Sequence, residues 1–207
     1  MQVAKTSDPL ADRISDVLTD FTEWLDVYGE SSWDHQSFFA GPLGGQAKSL
    51  YYRNRLVGKA AVAPMIFFEA FLPSARRLFH HRIRFAIADA HYAMGFGFLY
   101  EATENSADLE KATHFLNELT TSRCPDFKEY CWGYPFDWAW RGGVIKHQTP
   151  LITTTPYAYE AFLQVAELLE AEIRSQRSAA FAKASASQGG PRTEDGADLV
   201  AEYRHII

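Results

Sequence analysis

Four small residues, Ala86, Ala90, Ala93 and Gly97, recur at helical spacing within residues 85–103. A ridge without bulk lets a neighbouring helix approach closely, so this segment predicts a helix buried against others. A cap at Asn105 or Ser106 follows it, and Leu109, Ala112, Phe115, Leu116 and Leu119 form the stripe of the next helix. Two helices joined by so short a turn make a helical hairpin.

The same rhythm runs through most of the chain. Asp8 and Pro9 sign the start of a first helix. Leu10, Ile14, Val17, Leu18, Phe21, Leu25 and Tyr28 give it one stripe, and Gly29 stops it. Residues 31–45 read as a loop, because Gly41, Pro42, Gly44 and Gly45 punctuate them densely. Residues 46–56 can be helical. Residues 58–71 are apolar on nearly all sides and predict a helix buried between others, with Pro64 in its first turn. Helical rhythm resumes at Tyr157 and runs to about Ser175, with Phe162, Val165, Ala166 and Leu169 as its core face. No strand is strongly signalled, and Pro150 and Pro156 bracket the β-type residues 151–155 into an extended loop. The expected class is all-α, with helical hairpins and long aromatic loops. After Ser175 the apolar content collapses. Residues 1–175 therefore read as one domain, and residues 176–207 as a flexible Ala/Ser/Gly-rich tail with room for one short terminal helix.

Charge narrows the function classes. With 20 Lys and Arg against 26 Asp and Glu, the net charge is −6, which argues against a duplex nucleic-acid binder. No run approaches a membrane span, and residues 1–13 lack the apolar stretch of a signal peptide. Two cysteines, Cys124 and Cys131, exclude a disulfide-rich scaffold. The expectation is a cytoplasmic chain with reduced thiols.

The densest feature is the run 130–143, in which Tyr130, Trp132, Tyr134, Phe136, Trp138 and Trp140 occupy every even position up to 140. Gly133 and Pro135 oppose regular strand pairing. Such a loop either plugs helix ends or lines a cleft. Asp137, Arg141 and three glycines among the rings favour the cleft, since sugar sites combine flat rings with planar polar groups. On that reading Trp132, Tyr134 and Trp138 stack on a ligand, and Arg141 and His35 hold its polar groups. Asp137, Glu160, Tyr157 and Asp34 supply the groups that acid–base chemistry on a glycosidic bond or uronate needs. Each has a plainer reading beside it. Asp137 can cap a turn, Glu160 suits the first turn of any helix, and Asp34 and His35 can be a cap and a surface histidine. His80, His81 and His91 do not match a zinc site, and no metal or cofactor is called for. Residues 41–49 resemble a phosphate loop only superficially, lacking its Gly-Lys-Ser/Thr ending and a preceding strand.

Three segments, 88–93 (ADAHYA), 131–138 (CWGYPFDW) and 149–157 (TPLITTTPY), resemble a bacterial family of (α/α)-toroid proteins. That family is similar to six-hairpin glycosidases and uronyl-epimerase-like barrels, and it accompanies polysaccharide and cell-surface glycan genes. Relatives sometimes carry the label delta-aminolevulinic acid dehydratase. That chemistry calls for a β/α barrel with a Schiff-base lysine pair, and this sequence has neither. The resemblance covers about residues 30–170 and implies a partial toroid that binds or acts on a glycan or uronate. A closed toroid needs more hairpins than this chain holds, so it reads as C-terminally truncated. Its last helix is then expected to expose an apolar face, open to self-association. An enzyme, a non-catalytic interaction module and an inactive truncated copy all stay open.

Overall fold

The computed structural model describes residues 9–33, 37–186 and 195–207. Helix accounts for 72% of it, beside one two-stranded sheet, so the all-α class holds. The chain divides into two compact units, Met1–Ser32 and Trp33–Ile207. The first contains α1 (Pro9–Tyr28). Within it Trp24 stacks on Tyr28 at 4.6 Å, and Gly29 takes a φ of 85° while its N–H donates to Leu25 O at 2.8 Å. That is the left-handed stop expected of a glycine just past a helix.

The second unit is organised by α6 (Ala86–Thr103), which packs against both α7 (Ser106–Ser122) and α8 (Thr155–Ala186). Its small ridge does what the spacing predicts. Ala90 and Ala93 are fully buried, and a Cβ added at Gly97 would stand 3.2 Å from Gln164 Nε2 and Leu168 Cδ1 on α8. Asn105 caps α7 by accepting from Ala107 N–H. Phe96, Phe115, Leu116, Leu119, Phe162 and Val165 fill the space between the three helices. Each such side chain contributes roughly 1.5–3 kcal/mol of burial. Asp89 is buried among them, held by Arg84 Nε at 3.0 and 2.9 Å from its two oxygens.

The region of residues 31–45 departs from expectation. A short α2 (Ser37–Ala40) and the first turn of α3 (Pro42–Arg53) occupy part of it. Pro42 costs nothing in a first turn, where its missing N–H would have no partner. Gly44 is a contact residue rather than punctuation, since a Cβ there would fall 1.7 Å from Phe38 O. The next helix, α4 (Arg55–Phe71), starts at Asn54, whose side chain accepts from Leu56 and Val57 N–H at 3.1 and 3.2 Å. Pro64 consequently lies inside α4 and not in its first turn. α3 and α4 cross closely at Gly58, where a Cβ would meet Tyr51 Cα at 2.0 Å. A 3₁₀ turn (Pro73–Ala75) and a short α5 (Arg76–Phe79) lead on to α6.

Two strands form where none was signalled. β1 (Trp138–Trp140) pairs antiparallel with β2 (Gly143–Ile145), with Trp138 opposite Ile145. Gly133 and Pro135 precede β1 and leave its pairing intact. Gly143, at φ 139°, serves the turn.

The described residues of the chain end are helical, and residues 187–194 of the expected tail lie outside the described residues. α8 continues to Ala186, well past Ser175, because alanine is the best helix former. α9 (Asp195–Ile206) then packs back on α8. Its Val200, Tyr203 and Ile206 are buried. The Tyr203 ring meets Phe162 at 5.4 Å, and its hydroxyl donates to Asn117 Oδ1 at 3.0 Å. The core face of α8 is covered at Phe162, Val165 and Ala166 and half-covered at Leu169, while Leu163 and Phe181 stay exposed on the same helix.

Candidate functional site

The segment from Trp132 to β2 is fixed at its base before it reaches solvent. Trp132 O accepts from Leu151 N–H at 2.9 Å, Tyr134 O accepts from Gln148 N–H at 3.0 Å, and Thr155 Oγ1 accepts from Trp132 N–H at 3.1 Å. Thr149 O passes so close that a Cβ at Gly133 would lie 2.1 Å from it. Only glycine fits that crossing. Beyond it the hairpin packs on α3. Lys48 Nζ sits 3.3 Å above the centre of the Trp138 ring, a cation–π contact between helix and strand.

Between α3 and the hairpin lies a cleft of about 810 Å³. Gln46, Ser49 and Arg53 face it from α3; Phe136, Asp137, Lys146 and His147 face it from the hairpin side, and His80 from the end of α5. The N-terminus of α3, at Gly41 and Pro42, also opens into it and adds the positive end of a helix dipole. Asp137 is the only carboxylate lining the cleft among the described residues. It is already engaged, accepting from Lys146 Nζ at 2.7 Å and from His147 N–H at 2.9 Å. The Lys146 ammonium, followed by the His147 amide, holds its carboxyl below the ordinary carboxylate range. An acid tuned in that direction is a poor proton donor near neutrality.

The candidates divide accordingly. Asp137 reaches the cleft. Tyr134 and Trp138 stand beside it as half-buried rings, with Tyr134 stacked parallel to Phe136 at 5.5 Å. Arg141 is exposed in the hairpin turn and does not line the cleft. Trp132 is a correction: it is fully buried, with Nε1 donating to Leu119 O at 2.7 Å and its ring stacked on Phe162 at 5.9 Å. No face of it is left for a sugar. Tyr157 and Glu160 lie exposed on the first turns of α8, outside the cleft lining, and Tyr157 leans on His91 at 4.9 Å. Asp34 and His35 lie outside the described residues. Glycosidase chemistry uses two carboxyls about 5–9.5 Å apart across one sugar, and the lining residues described supply one.

The cleft residues missed by sequence reasoning carried a signal. Gln46, Ser49 and Arg53 are spaced i, i+3, i+7, a polar stripe on a segment already read as helical. Lys146 and His147 carried none, because only the hairpin's folding back brings them to Asp137. Among the described residues no three His, Cys, Asp or Glu gather as metal ligands.

Fold and cleft together define a mostly helical protein with a cleft lined by Arg53, Lys146 and Phe136 beside a small β-hairpin. No family model, curated protein or solved structure matches the chain.

Proposed function

We propose that this protein binds an acidic saccharide, a uronate-bearing glycan, in the cleft between α3 and the hairpin. On this reading it is a non-catalytic cytoplasmic member of polysaccharide metabolism, with its hairpins forming part of an (α/α) toroid. One observation carries the proposal: Arg53, Lys146 and the positive end of α3 surround a space whose single described carboxylate is already neutralised. Gln46, Ser49, His80 and His147 add donors suited to hydroxyls, and Phe136 adds an apolar wall. Binding is favoured over turnover because Asp137 is held ionised and Glu160 and Tyr157 stand elsewhere.

Thermal melts with galacturonate and glucuronate oligosaccharides, against neutral oligosaccharides of equal length, test this. Free ligand at about a hundred times its Kd is expected to raise Tm by roughly 5–10 °C. Arg53→Ala and Lys146→Ala are each expected to weaken binding by about tenfold or more. Equal responses to acidic and neutral sugars, or none to either, refute the reading.

A second reading rests on a different surface. α4 leaves Ile66, Phe67 and Phe71 more than half exposed along a groove of about 700 Å³ shared with Tyr51 and Tyr52 of α3. Lys48 and Lys59 line this groove, no carboxylate does among the described residues, and the chain as a whole carries −6. A second copy, net negative as a whole, carries the charge sign that this basic rim attracts, so we assign this face to self-association.

A further inference from the structure

Cys124 and Cys131 take no part in the cleft or the groove, and both are buried. They flank the largely exposed loop 125–130, which leaves α7 and returns the chain to the core at Trp132. Cys124 N–H donates to Cys131 O at 2.8 Å. With standard backbone dimensions, a bond of that length holds the two Cα atoms no more than about 6.7 Å apart, inside the range a disulfide accepts. Burial, and then the neighbouring sulfur, push the Cys124 thiol up to about 11, so at neutral pH Cys124 rests as a protonated thiol. A core that needed only small apolar volume here would be served by alanine. Two sulfurs brought together across a loop have a chemistry open to them that alanine lacks.

We propose that Cys124 and Cys131 form an oxidative modification site that closes the 124–131 loop with an intramolecular disulfide. The oxidant is a small-molecule disulfide of the glutathione class. One cysteine thiolate attacks it, forming a mixed disulfide and releasing one glutathione thiolate. The second cysteine displaces the other glutathione. Two S–H bonds break and one S–S bond forms. The two electrons and two protons leave as two molecules of reduced glutathione. Because the backbone bond already holds the two residues side by side, the disulfide forms without moving α7 or the Trp132 anchor. The same burial keeps the reaction slow in the folded chain.

The full chain is equilibrated in reduced and oxidised glutathione at a series of ratios, acid-quenched, alkylated and mapped by mass spectrometry. A parallel sample is unfolded in urea and refolded in each buffer, which separates slow access from unsuitable geometry. The expected product is one Cys124–Cys131 cross-linked peptide, lighter by two hydrogens, with both thiols lost together across the series. Cys131→Ser is expected to leave Cys124 either free or glutathionylated, with no internal bond. The proposal is overturned by thiols that stay alkylatable in the refolded sample at full oxidation. Glutathione collecting on each cysteine independently overturns it equally.

Discussion

Trp132 and Trp138 belong to one run of alternating rings and end in opposite surroundings. Trp132 spends its indole N–H on Leu119 O inside the core, whereas Trp138 lies half-buried under the Lys48 ammonium. Between them, Asp137 ties the hairpin to the Lys146 side. Its carboxyl is held below the usual value of about 3.9, so the stabilisation it gives is complete above that value. It is lost as pH falls through the lower, folded-state value. Carbon-13 NMR is expected to show the Asp137 carboxyl titrating below an unperturbed aspartate, and Lys146→Ala is expected to move it back up; a midpoint at or above the ordinary value contradicts the pairing. The sequence singled out this aspartate because it stood among rings, where burial raises a carboxyl pKa unless Arg141 or backbone donors offset it. Hydrogen bonds from residues nine and ten positions later reverse that sign. Partners made by a hairpin cannot be read from a segment in which no hairpin is signalled.

Elements were legible where periodicity was long and obscure where glycine had two meanings. The α6–α7 hairpin follows from the spacing of Ala86 to Gly97 and the Asn105 cap. The glycines at 41, 44 and 45 read as breaks, yet Gly44 permits α3 to press on the backbone of α2. The α9 helix was weakly signed because its apolar residues are few, but those few are placed to matter. Tyr203 closes over Phe162 and bonds Asn117, and Arg204 pairs with Glu170 at 2.7 Å. Removing residues 195–207 uncovers the Phe162 face of α8 and strips Asn117 Oδ1 of this donor. Loss of a buried tyrosine is expected to cost about 3–5 kcal/mol, by analogy with Phe→Ala. For a chain this size that lowers Tm by roughly 6–20 °C. Calorimetry of the shortened chain checks it, and a melt unchanged within error shows that α9 contributes nothing to the core.

At the scale of the whole molecule, what was legible is the class: helices throughout, and no helix among the described residues long and apolar enough to cross a membrane. The all-round apolarity of residues 58–71 predicted a helix buried between neighbours. α4 is backed chiefly by α3, and Phe67 and Phe71 stay largely exposed. That mismatch between composition and coverage is why the face is assigned to a second copy. Sedimentation velocity across a hundredfold range of protein concentration (about 1–100 μM, where transient interfaces populate) is expected to show a monomer giving way to a dimer. Phe67→Ser with Phe71→Ser is expected to hold the protein monomeric with its helical content intact. A wild-type chain that stays monomeric at the highest concentration removes the assignment.

α3 stands between the two surfaces. Gln46, Ser49 and Arg53 on one side of it line the cleft, and Lys48, Tyr51 and Tyr52 on the other line the groove. Its twelve residues are too few to bend independently at both faces, and Gly44 and Gly58 lock it against α2 and α4 with no slack. On the proposed function, a saccharide in the cleft and a second copy in the groove would both bear on this one rigid helix. By thermodynamic reciprocity, dimerisation changes saccharide affinity by the same factor that the saccharide changes dimerisation. One short helix lines both spaces, so any coupling between the two proposed events would need no third element to carry it.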